Sequence, residues 1–253
     1  MGTGAITQYV DVAQLVLYAF WIFFFGLVYY LVRENHREGY PMETESGRGV
    51  VTGWPIPEPK TFKLAHGGEV TVPNLTPSPQ TLKAEPAHAW AGAPLVPTGD
   101  NPMLDGVGPG AWADRADVPD MDFEGQVKIV PLRVATDFQL ATQDDDPRGL
   151  DVVGGDGEVG GTVVDLWVDK AESLFRYLEV ETVGGARRVL LPINFSRIKR
   201  DHVAVRAILG HQFGAVPATR SADQVTLLEE EKIMAYYGAG LLYAEPSRTD
   251  PLV

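Results

Sequence analysis

Residues 12–32 read VAQLVLYAFWIFFFGLVYYLV, a stretch of 21 residues without a charged side chain. An α-helix rises about 1.5 Å per residue, so this stretch would be roughly 31 Å long, which matches the hydrocarbon core of a bilayer. It is apolar on every side, and no basic segment precedes it as one would in a signal peptide. The sequence therefore predicts a transmembrane helix over 12–32, preceded by a short N-terminal segment, 1–11.

The residues that flank this helix predict its direction in the membrane. No Lys or Arg precedes it, whereas Arg33 and Arg37 follow it directly. Cytoplasmic flanks carry the excess of positive charge, so the C-terminal side is expected in the cytoplasm and the N-terminus outside. Tyr29 and Tyr30 would then lie at the cytoplasmic interface, where amphipathic aromatic rings collect.

Composition excludes several classes of function. The 253 residues carry a net charge of −13, which argues against nucleic acid as a partner because phosphate contacts need clustered Lys and Arg. The chain has no cysteine, so disulfides, thiolate metal sites and cysteine nucleophiles are absent. Its five histidines show no metal-ligand spacing, and no serine lies in a nucleophile-elbow context. We therefore expect no metal site and no enzymatic activity.

Residues 33–120 are rich in Pro and Gly and show little periodicity, apart from short strand patterns at FKL and EVTV. A disordered linker is one interpretation of such composition. Aromatic residues recur here, however, and disordered linkers are poor in them. These aromatic residues are Trp54, Phe62, Trp90 and Trp112. We expect an extended segment that packs on the surface of partner subunits.

Residues 121–220 are typical of a small β domain. Five apolar runs separated by turn signals predict short antiparallel strands that form a barrel or sandwich. The runs are VKIVPLRV, EVGGTVVDLWV, LFRYLEVETV, RRVLLPINF and HVAVRAI. In the last region, 221–253, Ser221 or Asp223 could cap a helix through QVTLLEEEKIMAYYG, with Gly238 as its stop. The predicted fold class is thus one N-terminal transmembrane helix followed by a cytoplasmic α+β domain dominated by a β barrel.

A glycine pattern in the β domain has two interpretations. Gly155, Gly157 and Gly160 match the G-x-G-x-x-G spacing of dinucleotide-binding loops. That function needs a helix after the loop, whereas the strand-like TVVDLWVD follows here. A glycine-rich hairpin is therefore the better interpretation.

Acidic residues crowd the stretch DLWVDKAESLFRYLEVE, 165–181. Read with period 2, Arg176 shares a strand face with Leu178 and Val180, while Glu179 and Glu181 share the other face, which would be solvated. A solvated sheet face explains the acids most simply. The alternative is a group of partly buried carboxylates with coupled proton affinities, which could pass protons along a water-bridged chain.

Seven stretches, in order along the chain, carry a family resemblance. They are FWIFFFGLVYYLVRENHREGYP at 20–41, PKTF at 59–62, PTGDNPMLDGVGPGAW at 97–112, VVDLWVD at 163–169, RYLEVE at 176–181, VTLLEEEKI at 225–233 and AGLLYA at 239–244. With these stretches the chain resembles the H subunit of the photosynthetic reaction centre of purple bacteria. The resemblance implies a single-pass protein of the bacterial inner membrane, with a cytoplasmic domain built around the barrel called the PRC barrel.

The same resemblance implies a role and partners. The H subunit caps the cytoplasmic side of the L and M subunits, stabilises the complex, shields the quinone region from water and conducts protons to the secondary quinone. It ligates no pigment itself. Bacteriochlorophyll, bacteriopheophytin, two quinones and a non-haem iron belong to L and M. Antenna polypeptides, a cytochrome subunit and membrane lipid are further expected contacts. A membrane-anchored PRC-barrel adaptor without a redox role is the alternative.

Site residues also follow from the resemblance. It implies a proton route through Glu172 and Asp169, whose surface end corresponds to MDFEGQVK with Asp122, Glu124 and Gln126. Positions of an internal charged cluster near that route match three further residues, Asp120, Arg176 and Glu230. Glu124 and Gln126 stand where well-known members carry histidines. Because Gln does not titrate, the resemblance leaves the surface end of the route open.

Overall fold

The first helix of the computed structural model, α1, spans Val12–Asn35 and contains the whole predicted span. Asp11 caps its start, since its carboxylate accepts a hydrogen bond from the Gln14 amide at 2.7 Å. Among the described residues, α1 is the one helix long and apolar enough to cross a membrane. The structure describes residues 4, 6, 11–44, 49–51, 53–65, 67–74, 82–90, 92–185 and 187–249. Most of the predicted segment 1–11, and residues 250–253 of the predicted tail, lie outside them.

The chain divides into two compact units, the first comprising Met1–Thr81 and Ala89–Ala93, the second comprising Leu82–His88 and Pro94–Val253. Short antiparallel hairpins follow α1 in the Pro- and Gly-rich region. They are β1 (Met42–Glu43) with β2 (Val50–Val51), β3 (Lys60–Lys63) with β4 (Glu69–Val72), and β5 (Ala84–Pro86) with β6 (Leu95–Pro97). The strand patterns at FKL and EVTV are thus confirmed as β3 and β4. The predicted limits at residues 32, 120 and 220 stay predictions.

The predicted interface residues lie at the end of α1. Tyr29 and Tyr30 are exposed, and the ring of Tyr29 meets that of Trp54 at 5.5 Å between centroids. Arg37 pairs with Glu34 at 2.9 Å. Arg33 is the basic residue in the last turn of the helix. Their role at a membrane interface stays a prediction.

A curled seven-stranded sheet forms the second unit, and its strands run in the order β11-β10-β9-β8-β13-β12, with β7 paired to β9. The strands are β7 (Ile129–Pro131), β8 (Asp151–Val153), β9 (Val159–Asp169), β10 (Leu174–Thr182), β11 (Arg188–Pro192), β12 (Ser196–Ile198) and β13 (His202–Val205). All five predicted runs contain a strand. The expected all-antiparallel pairing is corrected at one place, because β8 and β13 pair in parallel.

The glycine pattern forms a hairpin, as expected. Gly157 has φ +84° in the turn that joins β8 to β9. The Asp156 carboxylate accepts hydrogen bonds from the amides of Glu158 and Gly210, at 3.2 and 3.0 Å. Strand β9 and not a helix follows the loop, and the negative charge of Asp156 would repel a phosphate there.

The last helix, α2, spans Leu227–Tyr243 and differs from its prediction at both ends. Thr226, rather than Ser221 or Asp223, caps it through a reciprocal pair of hydrogen bonds with Glu229. Gly238 lies inside the helix rather than at its stop. A Cβ there would come within 2.7 Å of the Pro109 carbonyl oxygen, so this glycine serves close packing.

The core of the second unit lies between the sheet and α2. Its largest fully buried side chains are Trp167, Tyr236, Tyr237, Phe213, Leu166, Leu178, Leu191, Ile208 and Ile233. Tyr237 stacks on Phe195 at 5.7 Å between ring centroids, which joins α2 to the segment after β11. This packing fixes α2 against the sheet, in which β10 carries Arg176 of the predicted site.

A β-bulge interrupts the period-2 pattern of β10. Phe175 pairs with Val168 and Tyr177 with Trp167, so Arg176 is the extra residue between them. A bulge turns the side chains that follow it relative to an unbroken alternation. The prediction that one face of β10 is solvated is wrong for a different reason: Tyr177, Leu178, Glu179 and Val180 are all buried in succession, so both faces of the strand are covered there.

Candidate functional site

Asp169, the last residue of β9, is fully buried although it is charged. Its Oδ1 accepts hydrogen bonds from the backbone amides of Ala171 and Glu172, at 3.0 and 3.1 Å. These bonds shape the tight connection from β9 to β10. They also hold the carboxylate in a fixed orientation, with Oδ2 turned towards the side chains of neighbouring strands.

Two cations compensate the buried carboxylate. Nε and Nη2 of Arg176 each lie 3.2 Å from Asp169 Oδ2, and the pairing of Leu174 with Asp169 places Arg176 on that face of the sheet. Nζ of Lys128 lies 3.5 Å from the same oxygen. Lys128 is in position because β7 pairs with β9, with Ile129 opposite Asp169. A buried charge needs such partners, since an isolated one would be strongly destabilising.

Glu172 joins the same group from its outer side. Its carboxylate lies 3.1 Å from Arg176 Nη2 and 4.0 Å from Lys128 Nζ, while half of its side chain stays exposed. Asp120 reaches Lys128 Nζ at 3.4 Å. We call the five residues Asp120, Lys128, Asp169, Glu172 and Arg176 the Asp169 cluster. It brings four predicted site residues together around one lysine that the sequence did not single out.

The electrostatics of the cluster stabilise the charged form of Lys128. Burial works against the charge of Lys128, but the neighbouring carboxylates of Asp169, Asp120 and Glu172 outweigh it and raise the pKa of the ammonium above its usual value. Lys128 thus stays a fixed positive charge at ordinary pH. Three acids share this lysine and one arginine, so the cluster holds one more acid than cations.

Glu230, in the first turn of α2, meets β10 beside the cluster. Tyr177 Oη donates a hydrogen bond to Glu230 Oε2 at 2.5 Å. Burial raises the pKa of Glu230, and the hydrogen bond from Tyr177 and the charge of Arg176 only partly oppose this effect. Burial, together with the negative charge of Glu230, also raises the pKa of Tyr177. Glu230 is therefore a carboxyl that holds its proton more tightly than an ordinary glutamate.

A cleft of about 630 Å³ opens between β10 and α2, and Arg176, Tyr177 and Glu230 line it. Arg115 and Glu231 lie on the same cleft and form an ion pair at 3.4 Å. Its volume would hold a chain of waters, since one water occupies about 30 Å³ of liquid. The cluster side of the β domain is thus open to solvent or to a partner chain.

The predicted surface end of the route forms a small hairpin in which Met121 pairs with Val127. Oδ1 of Asp122 accepts hydrogen bonds from the amides of Glu124 and Gln126, at 3.0 and 2.8 Å. Lys170 Nζ lies 3.8 Å from the Asp122 carboxylate and donates to Gln126 Oε1 at 3.3 Å. The structure thus places Asp122 next to the lysine that follows Asp169, whereas Glu124 is exposed on the turn.

A second buried ion group corrects the prediction for Glu179, which was expected on a solvated face. Glu179 is only 4% exposed and accepts hydrogen bonds from Arg133 at 2.5 Å and from Trp167 Nε1 at 3.0 Å. Arg133 also binds Asp165 at 2.9 Å, and Arg188 lies 3.3 Å from Glu179. Burial works against the charge of Arg133, but Glu179 and Asp165 outweigh it and raise its pKa.

Sequence reasoning missed Lys128 and Tyr177. Lys128 is one basic residue before a short apolar run, and only the pairing of β7 with β9 brings it to Asp169. Tyr177 reads as a core aromatic, and its partner Glu230 lies 53 positions further along the chain. The usable signal was the single positive charge of Lys128 at the start of the predicted strand VKIVPLRV, close to the three acids Asp120, Asp122 and Glu124.

Two known family models match this chain. Residues 4–134, more than half of the chain, match the model described as photosynthetic reaction centre, H-chain N-terminal region. Residues 142–212 match the PRC-barrel domain. The first match includes Asp120 and Lys128 of the Asp169 cluster. The second match covers β8–β13.

Proposed function

Because the chain belongs to the photosynthetic reaction-centre H-chain family, as an accessory subunit and not an enzyme in itself, we propose that it conducts protons towards the secondary quinone. The family implies association with the L and M subunits. The cytoplasmic unit would cap them, stabilise the complex and shield the quinone region from water. The Asp169 cluster would be the part of this cap through which protons pass.

The membrane placement of the proposal rests on α1. This helix would cross the bacterial inner membrane once, with the N-terminus in the periplasm and the β domain in the cytoplasm, because Arg33 and Arg37 follow the apolar span. Trp54, Phe62 and Trp90, which are about half exposed in the chain alone, would pack on partner subunits, antenna polypeptides or lipid. A cytochrome subunit would belong to the same complex.

The pigments and redox cofactors would reside in the partner subunits. Bacteriochlorophyll, bacteriopheophytin, quinones and non-haem iron would be held by L and M, and this chain would bind none directly. Reduction of a quinone to a quinol consumes two protons for two electrons, and these protons must cross the cytoplasmic cap. The residues of this chain would supply that passage.

The position of Glu172 is the observation that carries the proposal. Its carboxylate lies 3.1 Å from Arg176 and 4.0 Å from Lys128, the two cations that hold Asp169, yet half of its side chain is exposed. A relay group must reach a proton source on one side and an interior acceptor on the other. Asp169 cannot fill this role equally well, because two amides and two cations occupy its oxygens.

Each remaining group would have a defined part. Asp122 and Glu124 would collect protons at the surface hairpin, near Lys170. Glu172 would take a proton on one carboxylate oxygen and release it inward. Lys128 and Arg176 would keep the cluster electrically balanced, while Asp120 and Glu230 would complete the charged surroundings of the route.

Flash-induced proton uptake by the purified reaction centre tests the proposal. Glu172→Gln keeps the size and hydrogen-bonding capacity of the side chain but removes its titrating proton. We expect uptake after the second flash, followed with a pH-indicator dye, to slow by about tenfold or more, since general acid–base groups contribute at least that much. Glu181→Gln is the matched control, because Glu181 lies at the far end of β10 and pairs with Arg188. Equal uptake in Glu172→Gln and wild type would contradict proton conduction through Glu172.

A further inference from the structure

Glu230 differs from every carboxylate of the Asp169 cluster in its partners. Asp169 accepts from two amides and binds two cations, and Glu172 and Asp120 each lie near at least one cation. Among the described residues, the only donor to the Glu230 side chain is the neutral phenol of Tyr177. A carboxyl without a direct cationic partner and in partial burial has a pKa above that of an ordinary glutamate, and burial raises the pKa of Glu230 in this way.

The place of Glu230 connects it to the cluster and to water. Arg176 lines the cleft next to Glu230 and also binds Asp169 and Glu172. The guanidinium of Arg176 thus lies between Glu172 and Glu230. A proton that leaves Glu172 would reach Glu230 through water molecules, which a cleft of about 630 Å³ can hold.

Rigid surroundings hold the Tyr177–Glu230 contact. Tyr177 is 4% exposed and pairs in the sheet with Trp167 and Pro192. Glu230 is in the first turn of α2, which the reciprocal bonds of Thr226 and Glu229 fix. The contact therefore depends on packing of the sheet against α2, and not on a flexible surface pair.

We propose that Tyr177 and Glu230 form a proton-holding pair beside the Asp169 cluster, in which Glu230 carries the exchangeable proton and Tyr177 sets how tightly it is held. Glu230 Oε2 accepts the phenol hydrogen bond, so an incoming proton binds Oε1 and converts the carboxylate to the acid. Its release restores the carboxylate, and the phenol keeps its own proton throughout. Tyr177 is a positioning residue in this pair. The proposal rests on the proton-conducting function above.

The charged groups around Glu230 act on its pKa in opposite directions. Arg176 on β10 and Arg115 before the hairpin favour the charged form of Glu230, whereas Asp120 disfavours it. Glu231, next to it on α2, pairs with Arg115. Burial raises the pKa of Glu230, and the Tyr177 hydrogen bond lowers it. Removal of the phenol hydroxyl alone must therefore make Glu230 bind its proton more tightly.

Infrared titration of the purified reaction centre in the dark tests the pair without quinone turnover. The carbonyl-stretch band of the protonated Glu230 carboxyl, identified by its absence in Glu230→Gln, should fade with rising pH at a midpoint above the ordinary glutamate value. Tyr177→Phe should raise the proton affinity by about tenfold, because hydrogen bonds to charged groups are worth about that much. Tyr243→Phe, a tyrosine at the other end of α2, should leave the midpoint unchanged. The same midpoint in Tyr177→Phe and wild type would overturn the proposal.

A second readout separates this pair from the route as a whole. The pH profile of second-flash proton uptake should shift to higher pH in Tyr177→Phe, in step with the infrared midpoint. An infrared shift without a shift of the uptake profile would remove the pair from the route. Glu172→Gln should leave the infrared titration of Glu230 unchanged. If Glu172→Gln also conducts protons normally, the proposed function fails while the Tyr177–Glu230 pair still stands, so the two failures are distinguishable.

Discussion

Arg176 binds the fully buried carboxylate of Asp169 through two nitrogens, Nε and Nη2, each 3.2 Å from Oδ2. Arg176 lies on the same face of the sheet as Asp169, because Leu174, two residues before it, pairs with Asp169 across β9 and β10. The pair joins the two longest strands of the sheet at the predicted proton route. It therefore contributes both to the stability of the β domain and to the electrostatics of the cluster.

Loss of Arg176 should destabilise the protein. Arg176→Gln leaves Asp169 with Lys128 as its one cation, and breaking a buried pair costs about 3–5 kcal/mol. Because Arg176 is 41% exposed, we expect a smaller loss, about 2 kcal/mol in the free energy of unfolding. Denaturant unfolding of the full chain in detergent measures it. Arg200→Gln, at an exposed turn, should be neutral, and a neutral Arg176→Gln would show that the pair stabilises nothing.

Glu179 and Glu181 should respond very differently to truncation, although an unbroken alternation places them on the same face. Glu179→Ala leaves Arg133 and Trp167 Nε1 without their shared acceptor, so we expect a loss of about 3 kcal/mol. Glu181→Ala breaks one half-exposed pair with Arg188, worth at most about 1 kcal/mol. Unfolding curves of both variants provide the comparison. Equal losses would mean that the contacts of Glu179 with Arg133 and Trp167 stabilise the fold no more than the exposed pair of Glu181 does.

Sequence patterns predicted the architecture because its determinants are local. The uncharged run 12–32 is long enough to define α1, and five apolar runs each contain one strand of the sheet. The parallel pairing of β8 with β13 was not predictable in this way, since it depends on how the sheet closes. Gly238 was predicted as a helix stop because glycine commonly ends helices. Its actual role, close packing against Pro109, involves a residue far away in sequence and has no local pattern.

The candidate site was predictable only in part. The acids at 120, 169, 172 and 230 followed from a family resemblance, and the structure brings the first three together around Lys128. The bulge at Arg176 has no local sequence signal, so the alternation of β10 failed there. Tyr177 and Glu230 meet only through the packing of α2 on the sheet, which no periodic pattern encodes.

The stability of the protein should depend on pH through Glu230. Burial raises the folded-state pKa of Glu230 above its usual value of 4.5, so its contribution to stability is complete below pH 4.5 and is lost as pH rises through the folded-state pKa. Glu230→Gln lacks this loss. The difference in melting temperature, Glu230→Gln minus wild type, should therefore grow above pH 4.5 and then level off. A difference that is constant across this range would contradict the raised pKa.

Protease accessibility tests the proposed orientation. In sealed vesicles whose cytoplasmic face is outward, added protease should remove the chain beyond residue 40, since Arg33 and Arg37 predict a cytoplasmic C-terminal side. Vesicles of the opposite orientation are the control and should protect that part until detergent opens them. Protection in the first preparation and cleavage in the second would reverse the assignment.

The rate of the second electron transfer in Glu172→Gln tests the central claim most directly. In the proposed function, charge separation after the first flash would take place in the partner subunits and should be unchanged, whereas electron transfer after the second flash would need a proton and should slow by about tenfold or more. A small permeant weak acid should restore much of the rate, because it supplies protons past the missing carboxyl, and Glu181→Gln should match wild type throughout. A second-flash rate in Glu172→Gln equal to that of wild type, without added acid, would contradict a proton route through the Asp169 cluster.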